Sequence, residues 1–319
     1  MALTKAPADS ERLDALITAR WERPLSRQLE AIAGRVRAQA AETAGVDPDT
    51  GVAAVLGYGS CLRDVSPADG LADFYVLMAD GMPVSTSRFA RLGCRIAAPN
   101  VYYAECDHEG TRLRAKFAVL PLRQFEARVS RRTENPYFWA RFAQPCALLS
   151  CREDARERVF GAVRTAVVTM LQQSLLLCDG KARLDDVWLT GLQATYGTEL
   201  RSESGARAGA IMAADPDWYR GTAEAVLGND MGKALSRVSD ADWARGVSAW
   251  KRRRLRGKLL SVLRLAKAAF TFRGGADYLA WKLERHSGVA IELSGWQRRH
   301  PILASLWLMP KLYLKGAFR

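Results

Sequence analysis

Two short apolar runs, residues 52–58 and 72–78, flank a Gly-Tyr-Gly-Ser turn and a polar loop. Short runs rich in β-branched and aromatic residues are typical of strands and are too short for stable helices. Residues 100–105 and 113–120 have the same character, and Gly and Pro occur between the runs. We therefore predict a β-sheet in the first half of the chain.

Helical periodicity surrounds this predicted sheet. Between residues 10 and 44, apolar residues recur at near-helical spacing with an interruption at Pro24, which predicts two helices. A second helical stripe follows residue 150, where Ser150 and Glu153 have the spacing of a capping box. We predict a domain boundary near residue 150, then a mainly helical second half with a short strand at 195–201.

The positive charge of the chain is concentrated at its C-terminal end. The net charge is +13, yet residues 251–319 contain 16 Lys/Arg against 3 Asp/Glu, while the first 250 residues contain 31 of each sign. Such asymmetry is typical of proteins that bind nucleic acid or an anionic membrane surface.

Composition excludes several other classes. With 49% hydrophobic residues the chain can bury a proper core. The six cysteines have no CxxC spacing and the three histidines do not cluster, so neither a zinc site nor a disulfide framework is predicted. Early acidic residues argue against a signal or transit peptide, and no apolar run approaches the ~20 residues that span a bilayer. We expect a cytoplasmic protein.

The Gly-Ser turn suggests a phosphate site. Glycine lets backbone N–H groups approach an anion, and Ser60 adds a hydroxyl donor. Asp73, at the head of the neighbouring predicted strand, can hold the Mg²⁺ that accompanies a nucleoside triphosphate. From spacing alone, an ordinary turn between strands remains the alternative.

Sequence resemblance favours the phosphate site. The "GYGS" and "DFYV" segments resemble the core of nucleotidyltransferases, and the longer run resembles the mitochondrial-type phosphatidate cytidylyltransferase family, also called the mitochondrial translocator assembly and maintenance protein family. Further matching motifs occur in the family's order: "NVYY" (100–103), "KFAVLP" (116–121), "WARFAQP" (139–145), "YGTELR" (196–201) and "KAAFTFRGG" (267–275).

The resemblance implies an α+β fold with three regions. These are a nucleotidyltransferase domain at 1–150, a mainly helical winged-helix-like domain at 151–250, and a basic C-terminal region at 251–319 with an amphipathic membrane-contacting segment. It also implies the reaction of CTP with phosphatidic acid, which gives CDP-diacylglycerol and pyrophosphate with Mg²⁺ as cofactor.

The resemblance assigns site residues as well. Gly57, Gly59 and Ser60 would bind the nucleotide. The catalytic set would be Ser60, Asp73 and Lys116, with Asp73 as the metal ligand and Lys116 facing phosphate charge.

The second carboxylate of a two-metal site is not evident. Classical nucleotidyltransferases have it two residues after the first, where this chain has Tyr75. Asp64, Asp69 and Glu105 are the candidates, but each is better explained as a surface acid, and only Asp73 is predicted to bind metal.

At some further positions this chain has the family's residue type, and at others it has a different one. Glu199 and Arg201 match an acid and an arginine of the family, with a surface pair on one strand as the alternative. Cys61 stands where the family usually has Gly, and Gln144 where it has Lys.

The basic tail is predicted to contact lipid. Residues 250–270 place apolar side chains on one helical face and Arg254, Lys258, Ser261 and Arg264 on another. The final stretch, residues 300–319, is apolar, aromatic and basic, which suits an interfacial anchor. We therefore expect a peripheral protein on the inner face of the membrane that binds no nucleic acid. The predicted substrate-binding or membrane-binding residues are Arg254, Lys258, Lys267, Trp307, Lys311 and Lys315.

Two alternatives remain. One is a nucleotidyltransferase with a soluble or protein acceptor, which would keep the Gly59, Ser60 and Asp73 site. The other is a nucleic-acid-binding protein that uses its basic tail and has a degenerate nucleotidyltransferase core.

Overall fold

The computed structural model describes residues 6–62, 70–179, 181–199, 205–271 and 294–299. These form an α+β structure around one mixed sheet of five strands. The strands are β1 (Val52–Tyr58), β2 (Ala72–Met78), β3 (Asn100–His108), β4 (Thr111–Pro121) and β5 (Cys146–Cys151). Their order in the sheet is β3-β4-β2-β1-β5. β2 and β4 are parallel, and the other neighbouring pairs are antiparallel.

Helices make up most of the remaining described chain. In order they are α1 (Ser10–Trp21), α2 (Arg27–Ala44), α3 (Pro48–Gly51), α4 (Arg88–Ile96), α5 (Leu122–Val129), α6 (Trp139–Phe142), α7 (Glu153–Leu175), α8 (Leu184–Tyr196), α9 (Gly205–Ala213), α10 (Pro216–Leu227), α11 (Met231–Ser236), α12 (Asp240–Thr271) and α13 (Gly295–Arg299). Within the described residues, no helix combines the length and the apolarity needed to cross a bilayer.

The structure confirms the four predicted strands and the break at Pro24. Asp9 caps the start of α1, and the hydroxyl of Ser26 caps α2 by accepting from the Leu29 amide. The predicted apolar stripes of α7 and α12 are also helical. β5 was not predicted, because its six residues have no clear alternation and come directly after a proline.

Two local predictions are wrong. Ser150 does not cap α7: it pairs with Val55 in the sheet, and Arg152 occupies the N-cap position without a side-chain hydrogen bond. Residues 195–199 are not a strand, since α8 runs to Tyr196 and the amides of Gly197 and Thr198 donate to carbonyls of the last turn. Residues 200 and 201 lie outside the described residues.

The core is continuous from the sheet into the helices. α2 packs against β1, β2, β3 and β4, while α5 and α7 also contact the sheet. One cluster of buried apolar residues extends from Leu13 in α1 to Trp250 in α12. The predicted division of the chain near residues 150 and 250 stays a prediction.

The contact between α7 and α8 yields a stability prediction. A Cβ on Gly191 would lie 1.9 Å from Ser174 Oγ and 2.8 Å from Met170 Cε, so no alanine fits without a shift of α8. We expect Gly191→Ala to destabilise the protein by about 1–3 kcal/mol, the usual cost of overpacking.

Gly161→Ala in α7 is the matched control. No heavy atom lies within 4 Å of its added Cβ, so the helix should gain about 0.5–1 kcal/mol. Urea unfolding measures both variants. Equal midpoints for the two variants would contradict the close packing of α7 and α8.

Candidate functional site

One line of side chains crosses three strands and forms the base of the site. Tyr58 on β1 is in register with Asp73 on β2, and Asp73 is in register with Lys116 on β4. Residues in register project from the same face of a sheet. Accordingly, Lys116 Nζ lies 3.2 Å from Asp73 Oδ1, and the Tyr58 hydroxyl donates to the same oxygen at 3.5 Å.

The turn after β1 brings backbone beside this line. Gly59 has a φ of +81°, a conformation that L side chains rarely adopt, and a Cβ there would lie 3.8 Å from Asp73 Oδ2. Gly59–Leu62 forms one 3₁₀ turn that contains the backbone of Ser60. The Ser60 side chain lies outside what the structure describes, so its predicted role stays a prediction.

The surroundings of Gly57 differ from those of Gly59. It lies within β1, where a Cβ would be 3.0 Å from Leu149 Cδ1 on the neighbouring β5. Sheet packing therefore accounts for glycine here, and its predicted nucleotide contact stays a prediction.

Arg141 is the residue of the site that sequence reasoning missed. It belongs to α6, and its guanidinium donates to the hydroxyls of Tyr58 (3.1 Å) and Tyr137 (3.3 Å). The Tyr75 hydroxyl in turn donates to Tyr137 at 3.2 Å. The "WARFAQP" motif contains Arg141. Only the fold shows that Tyr58 connects Arg141 to Asp73, because the Tyr58 hydroxyl bonds to both side chains.

A second guanidinium reaches the same cluster from α12. The Arg264 guanidinium carbon lies 3.9 Å from the Tyr137 ring centroid, and that of Arg141 lies 4.4 Å from it. Burial opposes ionisation of Tyr137, but Arg141 and Arg264 outweigh it and lower the pKa of this hydroxyl. Burial lowers the pKa of Arg264, and Tyr137, Tyr75 and Glu199 partly oppose that effect.

These two arginines lack carboxylate partners. Across the described residues, neither Arg141 nor Arg264 forms an ion pair with an acid, although both are partly buried. Glu199, three residues beyond the end of α8, acts to raise the pKa of Arg264 but does not bond to it. With Lys116, the cluster has three cations against Asp73 and Glu199. Within the described part of the chain, their guanidiniums bond only to neutral groups, the hydroxyls of Tyr58 and Tyr137 and the Ala98 carbonyl, so an anionic ligand could still neutralise their charge.

The predicted membrane-binding or substrate-binding residues are distributed over several places. Arg254 and Lys258 are exposed on α12. Lys267 instead turns inward, and its ammonium donates to the Asn100 side chain and to the carbonyls of Ala97 and Pro99. Burial lowers its pKa to about 8. Trp307, Lys311 and Lys315 lie outside the described residues, as does Arg201.

Metal binding at this site would rest on one protein carboxylate. Among the described residues, no group of three or more His, Cys, Asp or Glu side chains is arranged to hold a metal ion. Glu105 accepts from the Tyr103 hydroxyl on β3, and Asp64 and Asp69 lie outside the described residues. Mg²⁺ commonly binds one or two carboxylates together with substrate phosphates and water, so Asp73 fits as a single protein ligand.

No protein-family model matches the chain, and no curated protein matches it. The function of the chain must therefore be inferred from the geometry of its site and from the motif resemblance.

The turn at Gly59 can be tested with a matched pair of glycines. Gly110, in the β3–β4 turn, has a φ of +75° and no atom within 4 Å of an added Cβ. Gly59→Ala and Gly110→Ala should each cost about 1–2 kcal/mol of stability, because both force alanine into a left-handed conformation.

Only Gly59→Ala should weaken anion binding, since only its Cβ points at Asp73. The measurement is the rise in Tm on adding inorganic pyrophosphate, which reports binding to the native state. An equal rise in Tm with pyrophosphate in the two variants would contradict the predicted contact between the Gly59 turn and a phosphate.

Proposed function

We propose that this protein is a nucleotidyltransferase that transfers a cytidylyl group from CTP to phosphatidic acid, as in the mitochondrial-type phosphatidate cytidylyltransferase family. The proposal rests on Arg141 and Arg264, two partly buried arginines near the Asp73–Lys116 ion pair. Among the described residues, neither arginine has a carboxylate partner. The nucleotidyltransferase and winged-helix assignments of the two predicted domains are part of the same proposal.

The triphosphate is assigned to the turn and the row of side chains beside it. Gly59 leaves room for a phosphate to approach the backbone, and Lys116 adds a positive charge 3.2 Å from Asp73. Arg141 can donate to a phosphate while keeping one tyrosine contact, because a guanidinium has five N–H donors. These groups are fixed by the sheet and by α6, so little reorganisation is needed when charge develops.

Asp73 and the triphosphate would hold Mg²⁺ together. When bound, Mg²⁺ neutralises charge on the departing pyrophosphate. Lys116 would then be released from its ion pair with Asp73 and would face the phosphates instead.

Arg264 supports a second anionic substrate. It approaches Tyr137 from α12, whereas Arg141 belongs to α6, and its ring contact at 3.9 Å is the shortest of this cluster. A guanidinium binds a phosphate monoester through two parallel hydrogen bonds. We assign the phosphate of phosphatidic acid to Arg264 and the triphosphate to Arg141 and Lys116.

The reaction then needs no general base. A phosphate oxygen of phosphatidic acid forms a bond to the α-phosphorus of CTP, and the bond from that phosphorus to the α,β-bridging oxygen breaks. Pyrophosphate leaves with the electron pair. The nucleophile is already ionised at neutral pH, so the residues of the site orient the two substrates and neutralise charge.

Asp73 offers the sharpest catalytic test, because an aspartate near the other end of β2 serves as its control. Asp80, just beyond that end, also accepts from a base, Arg158, at 2.8 Å. Asp73→Asn should lower cytidylyl transfer to phosphatidic acid by ~10²-fold or more, the usual loss for a preorganised charged contact. Asp80→Asn should retain wild-type turnover in the same assay with Mg²⁺. Wild-type turnover by Asp73→Asn would refute the metal assignment.

Nucleotide selectivity separates the proposal from its nearest alternative. CTP with Mg²⁺ should raise the Tm of the wild-type protein, since a ligand that binds only the native state stabilises it by mass action. Arg141→Gln should reduce this shift, because it removes a donor to the triphosphate. A shift with ATP or GTP and none with CTP would favour a nucleotidyltransferase with a soluble or protein acceptor.

A further inference from the structure

The helix α4 exposes an apolar stripe. Phe89, Leu92 and Ile96 recur at intervals of three and four residues, and they are 86%, 55% and 62% exposed. Its opposite side packs inward through buried Ala90 and Cys94. A short helix that leaves three large apolar side chains in water has not used its full apolar surface for folding.

The helix α12 exposes a second stripe. Leu255, Leu259, Val262 and Leu263 are 75%, 60%, 49% and 43% exposed. The other side of α12 is anchored by Trp250, whose indole N–H donates to the Gln173 carbonyl at 3.0 Å. The orientation of α12 is therefore set by polar and aromatic contacts, and Leu255, Leu259 and Leu263 face outward.

The two stripes belong to neighbouring helices. A Cβ on Gly93 of α4 would lie 2.9 Å from Lys267 Cδ of α12, so the helices meet at this glycine. Arg264 of α12 also donates to the Ala98 carbonyl, just after α4, at 2.9 Å. We define the α4–α12 surface by the exposed residues Phe89, Leu92, Ile96, Leu255, Leu259, Val262 and Leu263.

The charges that the two helices contribute to this surface are all positive, and one acid from outside them, Glu134, pairs with Arg252 and Arg256 of α12. Neither α4 nor residues 243–271 contain an Asp or Glu. Arg88 and Arg95 are exposed on α4, and Lys251 and Lys258 are exposed on α12. Exposed apolar side chains flanked by arginine and lysine suit the headgroup and acyl boundary of an anionic bilayer.

We propose that the α4–α12 surface docks on an anionic lipid bilayer, independently of the C-terminal stretch at 300–319. The proposal rests on the proposed function in one respect: a lipid acceptor requires the site to reach a membrane. Arg264 lies on the opposite side of α12 from the exposed leucines, so the width of one helix, about 10 Å, separates the acceptor site from the docking surface. Nucleic acid accounts for the arginines but gives no partner to Phe89, Leu92 and Ile96.

The test uses the whole chain with Phe89, Leu92 and Ile96 all changed to Gln. These side chains are exposed, so the variant should fold with a wild-type Tm. Flotation with vesicles of phosphatidylcholine and phosphatidic acid should show a loss of at least ~10-fold in the partition coefficient, since three interfacial apolar side chains are removed. Trp243→Gln is the matched control, because Trp243 is 50% exposed on α12 away from the leucine stripe, and it should partition as wild type.

Several outcomes would overturn the docking surface. Unchanged flotation of the triple variant would do so, as would equal partitioning of the wild-type protein to vesicles of phosphatidylcholine alone. The docking surface would also be overturned if the wild-type protein did not bind vesicles but bound RNA at physiological salt. It would be overturned as well if the wild-type protein formed a dimer and the triple variant were a monomer.

A parallel assay separates this proposal from the proposed function. Short-chain, water-soluble phosphatidic acid reaches the site without a membrane, so the triple variant should convert it at the wild-type rate. If wild-type protein floats and the triple variant does not, yet neither converts the soluble lipid, the docking surface stands and the cytidylyl transfer fails. If both convert it and both float, the transfer stands and the docking surface fails.

Discussion

The register between β1, β2 and β4 is the constraint on which the site depends. It places Tyr58, Asp73 and Lys116 in one line on one face of the sheet. A slip of one residue in β2 would turn Asp73 to the opposite face and separate it from Lys116. The burial of β2 on both faces opposes that slip, because the Asp73 carboxylate would move to the face on which Ala72 and Phe74 are fully buried. Core packing thus fixes the position of a partly exposed carboxylate.

The tyrosines give the cationic cluster its form. Tyr58 and Tyr137 hold Arg141 by hydrogen bonds and ring contacts, without the carboxylate that would neutralise it. A hydroxyl orients a guanidinium but leaves its charge available to a ligand. Arg264 meets the same Tyr137 ring from α12. One helix, α12, therefore links the cationic cluster to an exposed apolar surface, so the proposed chemistry and the proposed membrane contact share a structural element.

Sequence patterns predicted the helices and strands that are determined by neighbouring residues in the chain. The four strands were predictable from short apolar runs, and the break between α1 and α2 was predictable from Pro24. Contacts between distant segments were not predictable: Arg141 is 83 residues from Tyr58, and nothing in its motif indicates that partner. Arg264 was assigned to the same polar face as exposed Lys258, whereas it turns toward Tyr137. Ser150 has a good capping spacing, but its backbone is used by the sheet.

The proposed reaction moves the α-phosphate of CTP, with its cytidine, onto a lipid phosphate. The direct measurement is a comparison of CTP labelled at the α-phosphate with CTP labelled at the γ-phosphate, each incubated with the intact protein, Mg²⁺ and phosphatidic acid. We expect the α label to enter the organic phase as CDP-diacylglycerol and the γ label to stay in water as pyrophosphate. Retention of both labels in water, or transfer of the γ label to lipid, would contradict cytidylyl transfer.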